Sequence, residues 1–98
     1  MITRNVFMKF KVEFQEETEM DEIMSESKKV LSKVAGIQSF KISLPADLVS
    51  RKAWDLSLTV VFKDMSALEL YRLDAFHRQY VDEFLKPKLE VIKAWNFS

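Results

Sequence analysis

The sequence predicts a single α+β sandwich with the element order β-α-β-β-α-β. Three observations carry that expectation. Four stretches alternate apolar and polar residues, the mark of strands with one buried face. Two stretches between them repeat apolar residues at helical spacing. The whole chain has 98 residues with one glycine and two prolines, which leaves no room for a linker or a second domain.

The elements follow in order. Residues 2 to 14 alternate, with Ile2, Val6, Met8, Phe10, Val12 and Phe14 on one parity and Thr3, Asn5, Lys9, Lys11 and Glu13 on the other. From Glu16 the period changes: Met20, Ile23, Met24, Ser27, Leu31 and Val34 form one helical stripe. Acidic residues crowd the start of this helix and Lys28, Lys29 and Lys33 its end, which suits the helix dipole. Gly36, the sole glycine, is the stop signal. Alternation returns through Phe40, Ile42 and Leu44, "PADLVSRK" makes a polar connection, and Trp54, Leu56, Leu58, Val60 and Phe62 form the third strand. Asp64 or Ser66 caps the next helix, with Leu68, Leu70, Tyr71 and Leu73, and Asp74 is a second cap that restarts it through Tyr80, Val81, Phe84 and Leu85. Pro87 ends the helix or bends its exit. Leu89, Val91, Trp95 and Phe97 alternate in a closing strand.

This order is the split pattern of a ferredoxin-like sandwich, in which two right-handed crossovers put both helices on one face of an antiparallel four-stranded sheet. The other face is left uncovered. On its parity are Phe7, Val61, Ile92 and Ala94 among small or polar residues such as Ser57 and Thr59. A half-apolar open face invites a second copy, so a sheet-to-sheet homodimer is expected.

Composition narrows the function classes. Hydrophobic residues make up 48% and charged residues 31%, the balance of a chain with a packed core. Fifteen Lys and Arg offset fifteen Asp and Glu, so nothing global favours nucleic acid or an anionic membrane, and neither is expected as a partner. With no cysteine, thiolate metal sites and a cysteine nucleophile are excluded. Charged residues interrupt every apolar run near the N-terminus and no segment approaches a membrane span, so a cytoplasmic location is expected by default.

The stretch "LYRLDAFHRQYVDEFLKP" holds the only histidine, His77, six residues after Tyr71. Near neutral pH an imidazole accepts protons, and a neighbouring phenol can hydrogen-bond a developing enolate. Asp74, if it faces the ring, would raise the histidine's pKa and weaken it as a base. One histidine and one carboxylate are an incomplete ligand set, so no metal and no cofactor are expected. The plain reading of the same residues is that His77 occupies the first turn after the Asp74 cap while Tyr71 packs on the sheet.

"VFMKFKVEF", "VAGIQSFKI", "WDLSLTVVFKDMSALELYRLDAFHRQYVDEFLKP" and "VIKAWNFS", taken in order, resemble the stress-responsive α/β-barrel (Dabb) domain along essentially the whole chain. The resemblance implies a homodimer whose two sheets close a barrel, with a pocket in each protomer between sheet and helices. The family's signature is a Tyr, a short spacer and His-Pro-x-His. Tyr71 and His77 match its Tyr and second His, while Asp74 and Ala75 replace the His-Pro pair. In the branch that resembles polyketide cyclases, the retained His is a general base and the Tyr polarises a carbonyl. That branch has a histidine near the start of strand one, where this chain has Arg4. Tyr71 and His77 are therefore the candidate catalytic residues, and Arg4 and Asp74 the candidate pocket residues. The leading expectation is a dimer that binds a small hydrophobic molecule. The alternatives are a cofactor-free cyclase-like or monooxygenase-like enzyme and a non-catalytic, stress-associated structural dimer.

Overall fold

A computed structural model describes residues 1–98. Strand β1 (Ile2–Phe10) is followed by helix α1 (Glu17–Leu31), strand β2 (Ile37–Ser43), a short helix α2 (Leu48–Ala53) and strand β3 (Leu56–Phe62). Helix α3 (Met65–Leu73), helix α4 (Ala75–Gln79), a π-helical turn (Tyr80–Leu85), a 3-10 turn (Lys86–Lys88) and strand β4 (Leu89–Phe97) complete the chain. The four strands form one antiparallel sheet in the order β2-β3-β1-β4. This is the ferredoxin-like α+β arrangement expected from the sequence.

The core lies between one sheet face and the helices. Val6, Met8 and Phe10 of β1, with Leu56, Leu58, Val60 and Phe62 of β3, meet Ile23, Val30 and Leu31 of α1, Leu68 and Tyr71 of α3, and Tyr80 and Leu85. Alternation in β1 and β3 thus translates directly into one buried face. Gly36 takes φ +92° at the entry to β2, a conformation that favours glycine, and a Cβ there would stand 3.3 Å from the Ala67 carbonyl oxygen.

Four details differ from the sequence reading. The first strand ends at Phe10 rather than Phe14, because Val12–Phe14 curls into a 3-10 turn in which the Phe14 N–H donates to the Lys11 carbonyl at 2.9 Å. "PADLVSRK" is not all loop: the Asp47 carboxylate accepts from the Ser50 N–H at 2.8 Å and starts α2. Trp54 belongs to the end of α2, not to β3, and its ring lies 5.6 Å from that of Phe7 on the open face. Asp55 makes this possible by tying the strands together: its N–H donates to the Met8 carbonyl and its carboxylate accepts from the Phe10 N–H, each at 2.8 Å.

The fourth difference is the facing of β4. A register shift lies between Lys9 and Phe10, where Phe10 pairs with Leu89 and Lys9 with Val91. This bulge turns Leu89 inward but leaves Val91, Trp95 and Phe97 on the open face. Ile92 and Ala94, opposite Met8 and Val6, face the helices. The open face therefore carries Phe7, Val61, Val91, Trp95 and Phe97 rather than Ile92 and Ala94.

Candidate functional site

The helices do not cover the sheet evenly, and the gap becomes a cavity of about 240 Å³. Its floor is Arg4, Val6 and Met8 of β1, Leu58 of β3, and Ile92 and Ala94 of β4. Its roof comes from the end of α3, from α4 and from the π-helical turn. The roof's shape is set at Asp74, whose extended backbone (φ −60°, ψ 123°) breaks the helix. Its carboxylate then accepts from the His77 N–H at 2.9 Å and restarts the helix as α4. This break folds His77 back over Tyr71, their ring centroids 3.9 Å apart and tilted by 37°. Tyr71 in turn packs on Phe62 at 5.0 Å, which fixes the pair against the sheet.

Burial is the main reason the His77 pKa falls below its ordinary value of 6.5. Asp74 opposes it, Arg4 and Arg78 reinforce it, and the Tyr71 main-chain carbonyl opposes it again. That carbonyl makes no hydrogen bond of proper geometry with Nδ1, which is sealed from solvent without a partner. Burial, together with the Arg4 and Arg78 charges, thus favours the neutral ring near neutral pH. Burial pushes the Tyr71 phenol up to about 12, and the nearby Arg4 charge partly offsets that. Tyr71 is thus a neutral hydrogen-bond donor. Burial also raises the Tyr80 phenol, whose hydroxyl is hydrogen-bonded to Ser27, the one buried polar residue.

Tyr71, His77 and Arg4, singled out from the sequence, come from three elements and line this one cavity. Asp74 is not in its lining. It acts on the site as a cap and as a nearby negative charge, and the expected rise in the His77 pKa is reversed because desolvation outweighs that charge. The sequence reading missed Tyr80, which lines the cavity beside His77, and the charged rim of Arg78, Asp82 and Lys86. The rim's signal was its i, i+4 spacing, which puts the three on one helical face.

The family whose sequence model matches, described as a stress responsive A/B barrel domain (Dabb), covers residues 2–98. No curated protein matches the chain. Among solved structures, a Dabb family protein with a ferredoxin-like fold from Mesorhizobium loti is 18% identical, with a TM-score of 0.86 over 99% of this chain and 94% of that one. A dimeric ferredoxin-like protein of unknown function from Thermobifida fusca is 11% identical, with a TM-score of 0.84 over 99% of this chain and 89% of that one. A hydroxynitrile lyase from Passiflora edulis is 13% identical, with a TM-score of 0.81 over 98% of this chain and 90% of that one. At these identities the likeness is one of fold.

Proposed function

Because the chain belongs to the stress-responsive α/β-barrel (Dabb) family, we propose that it binds a small, largely hydrophobic molecule in the cavity between sheet and helices. The observation that carries this reading is that Arg4, Tyr71 and His77 line one mostly apolar cavity of about 240 Å³. A few convergent polar groups in an apolar hollow are what orient a small ligand. The volume suits a modest one, since a dry cavity of about 150 Å³ takes up benzene. Filling the hollow tests the reading. Ala94→Trp, on the edge strand, is expected to abolish ligand-induced shifts of the His77 ring resonances across a small-molecule screen while the fold is retained by circular dichroism. Binding undiminished in that variant would place the ligand elsewhere.

A catalytic reading is favoured by one observation, that the rings of His77 and Tyr71 lie with centroids 3.9 Å apart in the lining of one cavity. In this cofactor-free scheme His77 Nε2, in the tautomer that carries the ring proton on Nδ1, takes the proton α to a ligand carbonyl, and the Tyr71 hydroxyl donates a hydrogen bond to the enolate oxygen as charge develops there. A depressed pKa keeps the histidine in its proton-accepting form, though as a weaker base. The Passiflora edulis lyase supports only the point that this fold can house an enzyme. Equal turnover in wild type, His77→Ala and Tyr71→Phe would refute both roles.

We further propose that the chain forms a homodimer joined through the open sheet faces, with one complete cavity in each protomer. It is supported by the exposure of Val91, Trp95 and Phe97 on that face and by structural neighbours described as dimeric.

A further inference from the structure

Arg4 stands where the pattern of β1 calls for an apolar residue. It shares the helix-facing parity with Val6, Met8 and Phe10, pairs across the sheet with Val60 and Asn96, and lines the cavity. A guanidinium has five N–H donors, and the bond within the protein is to a neutral acceptor, Asn96 Oδ1, at 3.0 Å. The other cations of the cavity have carboxylate partners. Arg72 pairs with Glu69 at 2.8 Å, while Lys86 and Arg78 share Asp82 at 3.0 and 3.8 Å. Arg4 takes part in none of the ion pairs. Its charge nonetheless reaches both Tyr71 and His77.

We propose that the ligand is a carboxylate on a small apolar body, a single ring or a short chain, with its charged end on Arg4. Arg4 is the cavity cation with no carboxylate partner, and a planar fork of donors matches a planar carboxylate. The wall of Val6, Met8, Leu58, Leu85 and Ala94 takes the apolar body. A cationic ligand has no place among these arginines. The proposal deepens the pocket reading above and rests on it.

The test is calorimetric and NMR titration at neutral pH with two probes of equal shape, octanoate and octanamide, against wild type, Arg4→Gln and Arg4→Lys. Wild type is expected to bind octanoate about tenfold or more tightly than octanamide, the ratio for one charge-assisted hydrogen-bond pair. Arg4→Gln is expected to lose that preference, so that octanoate and octanamide bind it about equally. Arg4→Lys keeps the charge but not the fork, so it should retain part of the preference and serve should the glutamine variant fold poorly. Equal affinity of the two probes for wild type, or a preference that survives in Arg4→Gln, overturns the role of Arg4 and leaves the pocket standing. If neither probe moves the His77 ring resonances, the pocket reading fails and the proposal with it.

Discussion

At the scale of single residues, the buried polar atoms define what the site can do. Ser27 occupies an apolar stripe of α1 because Tyr80 reaches it from the other helix. Removing either hydroxyl leaves the other buried and unpaired, so Ser27→Ala and Tyr80→Phe should each cost about 1–3 kcal/mol in urea unfolding. The double variant should cost less than the sum, since it strands neither group. His77 sets the pH dependence. Burial lowers its pKa in the folded chain, whereas the unfolded chain takes up a proton near the ordinary value of 6.5. Above that value both states are neutral and the residue contributes nothing. As pH falls below it, the unfolded state binds the proton first, and stability declines until the folded state also titrates. Because it is the sole histidine, the urea midpoint at fixed protein concentration should fall between about pH 7 and pH 5.5 in wild type and stay flatter in His77→Gln. An identical slope in the variant would remove the buried-imidazole account.

At the scale of elements, the decisive feature is the break between α3 and α4. Asp74 ends one helix and begins the next, so it does two separable things: it accepts the His77 N–H, and it puts a negative charge near the ring. Asp74→Asn should keep the cap and lower the His77 pKa further in an NMR titration. Asp74→Ala should lose the cap as well, at a cost of about 1 kcal/mol in thermal unfolding. The two substitutions match in the titration only if Asp74 acts through its charge alone. This break was legible in the sequence, because a capping residue between two apolar helical runs has few other uses. So were β1 and β3, where alternation marks the buried face despite Arg4 on one parity and Phe7 and Val61 on the other. The facing of β4 was not: Leu89, Val91, Trp95 and Phe97 share one parity, but a bulge is a property of pairing with β1 and leaves no trace in one strand's own pattern. Helix α2 was missed because all six of its residues are exposed, so no apolar stripe marks it. At the site, chemical type pointed to Tyr71 and His77, whereas Tyr80 read as core because burial and lining a cavity look alike in sequence.

At the scale of the whole molecule, the open sheet face is the remaining question of association. Phe7, Trp54 and Trp95 form one aromatic cluster there, with Phe7 5.6 Å from Trp54 and 6.4 Å from Trp95. Trp95 is 51% and Phe97 60% exposed, a high degree of exposure for residues so large and apolar. Two such faces packed together would remove this surface from water and enclose both sheets between helical layers. Sedimentation at micromolar concentration should therefore give twice the chain mass of 11.5 kDa. Trp95→Glu, which would bury a charge in that contact, should sediment as the single chain while keeping its circular dichroism, since the side chain takes no part in the helix-side core. Both tryptophans lie on this face, so dilution through the dissociation constant should also shift the emission of the wild type to the red and leave that of Trp95→Glu unmoved. A wild-type protein that stays monomeric at micromolar concentration would rule out the sheet-to-sheet dimer. The cavity lies on the helix side of the sheet, so its ligand affinity should be the same above and below the concentration at which the two faces part.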